Sequence, residues 1–340
     1  FLTRGVYHLR AREVKPETPA VFLPLPKKTP RNRLSLARWL TDGDHPLTAR
    51  VAVNRFWQML FGEGLVRTPE DFGSQGEMPT HPQLLDYLSN DFVDHNWDVK
   101  HLLKKIVQSA TYRQSSEVTS ELLEQDPENQ LLARVSRYQL PAEMLRDAAL
   151  YAGGLLVERI GGPPAKPYEV AVSFKPVDHD KGEGLFRRSV YTYWKRTGPA
   201  PVMMALDASK RDVCRVRRSR TSSPLQALVL LNDPQFVEAG RHLSEKLLHE
   251  HGTSDTGVLA AMFRTLTGRR PTEAELAIVE KLYQQQVAYF ADHQQQAERY
   301  LTTGESAYDD TLPCSPVERL AAHSVVAASL LNYEGFTMKR

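Results

Sequence analysis

The chain has 340 residues, and its 43 lysine and arginine residues nearly balance 41 aspartate and glutamate residues, which leaves a formal net charge of +2 at pH 7. This balance excludes an attraction of the whole protein to nucleic acid or to a membrane surface, so a charged partner must be recognised by a local patch. The length predicts about two domains at roughly 150 residues each, and no apolar run reaches the roughly 20 residues that span a bilayer.

Residues 1–30 open the chain with many prolines and basic residues, including the stretch PETPAVFLPLPKKTP. This composition predicts an extended linker or edge segment. The segment lacks the apolar core that defines a secretory signal peptide, and the first residue is not methionine. We therefore expect the chain to be a piece of a longer protein.

The N-terminal helical part is predicted over residues 31–155, where helical periodicity begins near Asn32. A helix that starts near Thr48 places apolar residues three and four apart, so Trp57 is predicted to be buried on its inner face. Gly62 stands where the C-terminal cap of this helix is expected.

Further helices of this part are indicated by their capping residues. Thr80 and Gln83 have the spacing of a capping box, and Asp98 has the chemistry of an N-cap. Another helix is predicted from about Pro141 to Gly153, where two consecutive glycines end it.

An irregular middle segment is predicted over residues 156–222, whose glycine, proline and charge content is typical of a long loop. Within it, the stretch FRRSVYTYWKR is rich in β-branched and aromatic residues and is the best candidate for a strand. Its aromatic residues Tyr191, Tyr193 and Trp194 could stack on sugars or bases, but an aromatic strand more often contributes to the core.

The C-terminal helical part is predicted over residues 223–340. Its helix starts are indicated by capping residues at Ser223, Asp233, Thr272 and Ser315. The sequence therefore predicts a mainly α fold, in which two helical halves surround an irregular middle segment with a small β element. The two halves are expected to form one compact unit.

The familiar signatures of catalysis are missing from the sequence. It contains no GxSxG, HExxH, P-loop or GxGxxG motif. The two cysteines, Cys214 and Cys314, form no CxxC or CxxCH motif, which excludes a cysteine zinc knuckle and a covalently attached c-type haem in this chain. Two unpaired buried thiols are the simpler interpretation, and a disulfide is the alternative for an exported protein.

Three short groups of acidic residues and histidines have ordinary structural explanations. Asp42, Asp44 and His45 cluster in one segment, which favours a turn between helices over a metal site. Residues 178–184 (DHDKGEG) begin like a calcium loop but have glycine where the fifth position needs an oxygen ligand, which favours a surface loop. Residues 249–251 (HEH) cannot place both imidazoles on one helix face.

The strongest concentration of charge is the arginine-rich segment, residues 209–224 (SKRDVCRVRRSRTSSP). Arginine forks bind carboxylate, sulfate and phosphate groups in a bidentate way, so an anion site is predicted here. The candidate ligands are Arg187, Arg188, Arg196, Arg211, Arg215, Arg217, Arg218 and Arg220. The alternative is that these arginines hold irregular backbone together. On an extended backbone Arg215 and Arg217 would share one side.

The stretch NRFWQMLFGEGLVRTPEDFG, residues 54–73, raises the same choice between structure and binding. Polar residues surround the apolar helix face and continue into the following turn, and they are Arg50, Asn54, Arg55, Arg67, Glu70 and Asp71. Buried backbone groups of the turn need hydrogen-bond partners, so a polar clamp with arginine–carboxylate pairs is the favoured interpretation. A binding pocket at this place is the alternative.

The stretches HPLTARVAVNRFWQMLFGEGLVRTPEDFG, WDVKHLLKKIVQSATYRQSS and RTSSPLQALVLLNDPQFVEAGR together resemble a known family. It is the C-terminal domain of unknown function, number 1553, of planctomycete cytochrome c-associated multi-domain proteins. The resemblance implies an exported protein with haem in upstream domains and none here. The family has no established activity, so no catalytic residues carry over. His323 stands where the family more often has tryptophan, and a lone imidazole in an apolar helix favours a core role.

These observations favour a non-catalytic binding or scaffolding domain with affinity for an anionic polymer such as a glycan. Its other expected partners are the upstream domains of the same polypeptide. No metal or cofactor is expected within this chain, and nucleic-acid binding is disfavoured by the balanced charge. The alternative is a hydrolase or redox enzyme that acts on an extracellular polymer, with a site near His81, Asp71 and the arginine-rich segment.

Overall fold

A computed structural model describes residues 1–169, 178–195, 198–252, 254–309, 311 and 316–339. The chain separates into two compact units, Phe1–Ser136 and Arg137–Arg340. The helix predicted from Pro141 to Gly153 belongs to the second unit. The described residues form fifteen α-helices and a single two-stranded sheet, which confirms the prediction of a mainly α fold with a small β element.

The first unit is built on the packing of three consecutive helices. Its five α-helices are α1 (Arg33–Leu40), α2 (Thr48–Phe61), α3 (Pro82–Asp94), α4 (Val99–Gln108) and α5 (Ser120–Gln125). Helix α3 packs against both α2 and α4. The core of this unit contains Val53, Trp57, Phe61, Leu88, Phe92, Leu102 and Ile106. Residues 1–30 contain a short 3₁₀ turn at Thr3–Gly5, isolated turns and one antiparallel bridge between Leu2 and Arg10.

The second unit is a helical assembly around α10 and α14. Its early elements are β1 (Tyr138–Gln139), α6 (Ala142–Ala152), α7 (Glu183–Phe186), α8 (Pro201–Ala205) and α9 (Pro224–Asn232). Its later elements are α10 (Pro234–His251), α11 (Asp255–Thr267), α12 (Glu273–Asp292), α13 (Gln294–Leu301), α14 (Val317–Leu331), α15 (Glu334–Thr337) and β2 (Met338–Lys339). Helix α14 packs against α10, α11, α12 and α13 and carries much of the apolar core.

Small residues allow α10 and α14 to approach closely. A Cβ atom added at Gly240 would lie 3.3 Å from the Cβ of Ala327 and 3.5 Å from the carbonyl oxygen of Ser324. Separations in this range leave almost no space for a larger side chain. The alanine-rich face of α14 is therefore the reason that these two helices can share one core.

The predicted strand in FRRSVYTYWKR is wrong. Phe186 ends α7, and Ser189–Tyr191 form a 3₁₀ turn followed by isolated bridges. The physical reason is a buried guanidinium: Arg146 donates to the carbonyl oxygen of Arg187 at 2.9 Å and to the hydroxyl oxygen of Ser189 at 3.1 Å. Both acceptors must face inward, which curls the backbone. The sheet instead pairs β1 with β2 in antiparallel orientation, with Gln139 opposite Met338.

Most of the predicted caps are confirmed. Asp98 and Asp233 accept backbone N–H groups at the starts of α4 and α10, and Ser223 and Thr272 form complete capping boxes. Gly62 caps α2 with a φ of 87°, which favours glycine.

The capping box at Thr80 is wrong. Helix α3 starts with His81 at its N-cap and has no side-chain cap. The Thr80 N–H and hydroxyl both point to the carbonyl of Leu65 instead, at 2.9 and 3.4 Å. Ser315 lies outside the described residues. Among the residues that are described, no helix has the length and apolar character required to cross a membrane.

Candidate functional site

A buried amide holds the start of the polar loop after α2. Asn54 donates from Nδ2 to the carbonyl of Val66 at 3.0 Å and accepts the Val66 N–H at Oδ1 at 2.8 Å. Its side chain is fully buried. A Cβ atom at Gly64 would lie 2.6 Å from Asn54 Nδ2, so the loop needs glycine there. This pairing satisfies buried backbone as the clamp interpretation predicts, but with an amide at its centre.

Two arginines around this loop form arginine–carboxylate pairs, as the clamp interpretation expects. Arg50 donates to Asp86 at 2.8 Å, and Arg67 pairs with Glu128. The Asp71 carboxylate accepts the backbone N–H of Gly73 at 2.7 Å. Arg55 is exposed and Glu70 is exposed on the turn. The stretch of residues 54–73 is therefore a structural element of the first unit.

Arg187 supports a bend of the backbone in the second unit. Its guanidinium donates to the carbonyls of Pro163, Arg159 and Gly161 at 3.0, 2.9 and 2.5 Å, and it lies 4.0 Å from the ring centre of Tyr191. The residue is buried. The fork that would bind an anion is thus engaged with carbonyl oxygens, as the alternative interpretation of the arginines expected.

Two more of the candidate arginines have partners in the structure. One lies outside the arginine-rich segment, and the other lies near its start. Arg188 donates to Glu158 at 2.7 Å on the surface. The Arg211 guanidinium lies 4.7 Å from the ring centre of Trp194, whose indole N–H donates to the carbonyl of Lys210 at 2.7 Å. Trp194 therefore anchors the start of the segment rather than forming a strand. Arg196 lies outside the described residues.

Arg215 and Arg218 converge with Lys210 on one concavity, which we call the basic depression. Its volume is about 160 Å³, and its polar lining residues are Asp207, Ser209, Lys210, Arg215, Arg218 and Ser219. Within the described part of the chain, Lys210 and Arg215 form no ion pair, and both are exposed. Three exposed cations, namely one ammonium and two guanidinium groups, thus line the same small space beside two serine residues.

The walls of the basic depression are fixed by carboxylates. Arg218 donates to Glu143 of α6 at 2.7 Å, which holds its guanidinium in place. The Asp207 carboxylate accepts the N–H and the hydroxyl of Thr221, each at 2.7 Å, and the amide of Gln226 at 3.0 Å. Asp207 therefore ties the end of the arginine-rich segment to the start of α9. The negative charge of the Asp207 carboxylate is engaged by the donors of Thr221 and Gln226.

The alternation expected for an extended backbone does not describe the basic depression. Arg215 and Arg218 line it together, because the chain bends at Val216 and Arg217. Arg220 instead lies over the ring of Tyr138, with its guanidinium 4.3 Å from the ring centre. The sequence could not predict this bend, because a run of basic residues has no hydrophobic periodicity that would indicate where the backbone changes direction.

Sequence reasoning missed a buried charge network on α10. Arg241 is fully buried and pairs with Glu245 at 2.8 Å, and it donates to the carbonyls of Ser306 and Ala307 at 2.8 and 3.1 Å. Glu238 accepts the backbone N–H of Ser306 at 2.9 Å. The network joins α10 to the loop that follows α13. In the sequence, Glu238, Arg241 and Glu245 occupy positions i, i+3 and i+7 of one helix, and this spacing could have predicted the network.

Part of this network has the residue types of a nucleophile, a base and an acid. The Ser306 hydroxyl lies 2.7 Å from His242 Nε2, and His242 Nδ1 lies 3.6 Å from Glu245. However, that hydroxyl also donates to Glu238 at 2.5 Å and receives the Arg241 guanidinium at 2.9 Å. A nucleophile engaged in this way cannot turn towards a substrate. The arrangement holds the loop that follows α13 against α10.

His323 is a core residue, as the sequence suggested. It is fully buried, its Nε2 lies 3.0 Å from the Asp255 carboxylate, and its ring stacks on Tyr283 at 4.3 Å. Its Nδ1 has no partner among the described residues. Burial lowers the pKa of His323 to about 4, an effect opposed by Asp255 and reinforced by Arg319. The imidazole is therefore neutral at pH 7.

We expect His323 to make the second unit sensitive to acid. The unfolded chain binds a proton near the ordinary pKa of 6.5, whereas the folded chain binds it only near 4. The stabilisation is present above the unfolded pKa and is lost as the pH falls through this window, by roughly 2–3 kcal/mol. Urea unfolding of the wild type and of His323→Leu, at about pH 7 and about pH 4, measures it. A wild type that loses no more stability than the variant would contradict the assignment.

A second cluster that sequence reasoning missed lies at the junction of α3 and α4. The carboxylate of Asp91 faces two imidazoles, with His101 Nε2 at 3.1 Å and His95 Nδ1 at 3.5 Å. The two rings stack with their centres 3.8 Å apart. Lys105 also donates to Asp91, at 2.5 Å, and this bond is the main reason that the pKa of Asp91 lies below its ordinary value. Asp91 and His95 are four residues apart on one helix, which was the signal for this group.

The weaker sequence groups take structural roles. His45 is buried, and its Nδ1 accepts the N–H groups of Leu47 and Thr48 at 3.3 and 3.2 Å at the start of α2. Asp180 accepts the N–H of Lys166 at 2.7 Å. His249 pairs with Asp309 at 2.8 Å. These contacts agree with the turn, surface-loop and helix-end interpretations.

Cys214 does not have the burial that the sequence suggested. It is a free thiol and is exposed, because the arginine-rich segment that carries it lies on the surface. Cys314, the other cysteine, lies outside the described residues.

Comparison with known proteins identifies one family. The model of PSD1, described as a protein of unknown function (DUF1553), matches residues 32–283. The match covers well over half of the chain and includes both the polar loop after α2 and the arginine-rich segment. None of the curated proteins and none of the solved structures matches the chain significantly.

Proposed function

The chain belongs to the PSD1 family of proteins of unknown function (DUF1553), and for it we propose a non-catalytic binding domain that holds an anionic polymer in the basic depression. The observation that carries this proposal is the convergence of Lys210, Arg215 and Arg218 on one concavity. Cationic donors that converge can share one sulfate or carboxylate group, which scattered surface cations cannot do.

The chemistry of the basic depression favours a flexible, repeating polymer over a small ligand. Its volume of about 160 Å³ is below the roughly 300 Å³ at which drug-sized ligand pockets begin. One charged group of a chain fits this space, while the neighbouring groups of the polymer extend over the exposed surface of the segment. A sulfated or carboxylated glycan has this repeat of charge. Ser209 and Ser219 supply hydroxyl groups for its oxygens.

The wider setting of this role rests on the resemblance in sequence. We place the domain in an exported, cytochrome c-associated multi-domain protein of planctomycetes, with the upstream domains of the same polypeptide as its partners. In this setting the haem belongs to those upstream domains. The domain would then hold the protein on an extracellular anionic polymer, as a scaffold.

An enzyme that acts on such a polymer has weaker support. His81 and Asp71 belong to the first unit, where Asp71 is engaged with the turn and the His81 ring contacts the hydroxyl of Thr80 at 3.0 Å. The arginine-rich segment belongs to the second unit. The Ser306 hydroxyl is held by Glu238. These contacts favour a structural role for each candidate group.

We expect a Lys210→Ala, Arg215→Ala double variant to bind a sulfated glycan at least about tenfold more weakly than the wild type. Each lost charge-assisted hydrogen bond contributes about 1.5–3 kcal/mol, and 1.4 kcal/mol is tenfold in affinity. Calorimetric titration with a heparin-like oligosaccharide and with a polyuronate measures both affinities. Binding should weaken as salt rises, because exposed charges are screened over about 8–10 Å at physiological ionic strength.

The matched control is an Arg159→Ala, Arg188→Ala double variant. It removes the same charge from the same unit, at exposed residues that pair with Glu183 and Glu158. This control should bind like the wild type. Equal weakening in both double variants would reduce the interaction to unspecific attraction, and equal binding by all three folded proteins would remove the proposed site.

A further inference from the structure

We propose that Asp91, His95 and His101 form a binding site for a divalent transition-metal ion of the zinc class. One ligand atom from each residue lies within 4.8 Å of the other two, which is the only such group of three among the described residues. The site lies in the first unit. It is independent of the anion binding proposed for the second unit.

The distances suit a small tetrahedral ion. Zinc bonds of about 2.0–2.2 Å to nitrogen and oxygen place neighbouring ligand atoms of a tetrahedron roughly 3.3–3.5 Å apart. The Asp91 carboxylate oxygens lie 3.1 Å from His101 Nε2 and 3.5 Å from His95 Nδ1. Each imidazole nitrogen therefore already lies near the distance from the carboxylate that an ion would impose. His95 Nδ1 also lies 2.8 Å from the backbone carbonyl oxygen of Asp91, and it would exchange that contact for the ion.

The backbone holds these residues in position. Asp91 is on the last turn of α3, His95 is the C-cap residue of that helix, and His101 is on the first turn of α4. The turn between the helices passes through Asn96 and Trp97, both with positive φ, and the Trp97 ring packs on Phe92 at 5.3 Å. The core thus fixes the turn, and the two imidazoles stay beside one carboxylate without any loop movement.

The ligand types select the ion. Two imidazole nitrogens with one carboxylate suit zinc, copper, nickel or iron, whereas calcium and magnesium prefer oxygen ligands. The His95 side chain is 48% exposed and that of His101 is 34% exposed, so an ion can enter from solvent. Three protein ligands leave a fourth position for water, which is the pattern of open zinc sites.

Lys105 is a competing cation in this site. Its ammonium group contacts the Asp91 carboxylate at 2.5 Å and the hydroxyl of Tyr87 at 2.8 Å. An ion must share that carboxylate with the ammonium group or displace it. The flexible lysine stem can move aside while Tyr87 retains the ammonium group. Removing the lysine charge should therefore strengthen metal binding, which a merely structural ion pair would not do.

The test is calorimetric titration of the full chain with Zn²⁺, together with the visible absorption of bound Co²⁺. The wild type should bind one equivalent, and Co²⁺ should show the intense bands of a tetrahedral site. His101→Ala should weaken binding about tenfold or more, at least as much as a change in the outer shell does. Lys105→Met should tighten it several-fold, because like charge no longer opposes the ion.

His8→Ala controls for adventitious binding, since His8 is exposed and belongs to the N-terminal segment. Circular dichroism verifies that each variant is folded. His8→Ala should bind like the wild type, with one equivalent of zinc. The proposal is overturned if the wild type takes up no zinc, if His101→Ala binds as tightly as the wild type, or if Lys105→Met binds more weakly.

Discussion

Replacing Arg241 with methionine should lower the free energy of unfolding of the second unit by about 3–5 kcal/mol, as expected when one partner of a buried ion pair is removed. Arg241 is fully buried and makes hydrogen bonds to Glu245, Ser306 and Ala307. Without the guanidinium, the carboxylates of Glu238 and Glu245 stay buried with an uncompensated charge. Urea denaturation monitored by circular dichroism measures the change.

Two further variants make this expectation specific. Lys246→Ala changes an exposed residue of the same helix and should alter stability by no more than about 0.5 kcal/mol. Neutralising the two carboxylates as well, in Arg241→Met with Glu238→Gln and Glu245→Gln, should recover part of the loss because no buried charge is then left alone. A single Arg241→Met variant as stable as the wild type would show that the network is not buried as described.

Replacing Trp57 with alanine should destabilise the first unit by about 3–5 kcal/mol, the usual cost of truncating a buried large aromatic residue. Trp57 is 4% exposed, and its ring stacks on Phe61 with centres 4.1 Å apart. The truncation removes this contact and leaves a cavity between α2 and its neighbours. A thermal melt of the purified chain measures the loss.

Met59 provides the matched control, because it lies on the same helix and is 65% exposed. Met59→Ala should change stability by no more than about 0.5 kcal/mol. A Trp57→Ala protein that melts like Met59→Ala would place Trp57 outside the core, and the predicted apolar face of α2 would then be wrong.

Much of the fold could be predicted because helix ends are encoded locally. A capping side chain accepts a hydrogen bond from a backbone N–H only two or three residues away. Ser223 and Thr272 therefore indicated helix starts independently of the tertiary structure. The strand predicted for FRRSVYTYWKR failed for the opposite reason. Its backbone is bent by Arg146, about forty residues earlier in the chain, and no local propensity carries that information.

The candidate sites were less accessible to sequence reasoning. The sequence shows that the arginine-rich segment has an excess of positive charge, but it does not show which arginine side chains converge. Arg187 is engaged with carbonyl oxygens, whereas Arg215 shares a concavity with Arg218. These outcomes depend on where an irregular backbone bends. His95 and His101 likewise belong to one cluster only because the turn between α3 and α4 folds back on itself.

The pairing of β1 with β2 has a consequence for the order of folding. The ion pair beside it joins Arg137 to Glu334, which are 197 residues apart. Closing a flexible loop of that length costs roughly 4–5 kcal/mol in chain entropy, more than a sheet of two residues per strand can supply through hydrogen bonds of about 1 kcal/mol each. The strands can therefore pair only after the intervening helices have docked, so this small sheet is a late step of folding and never its nucleus.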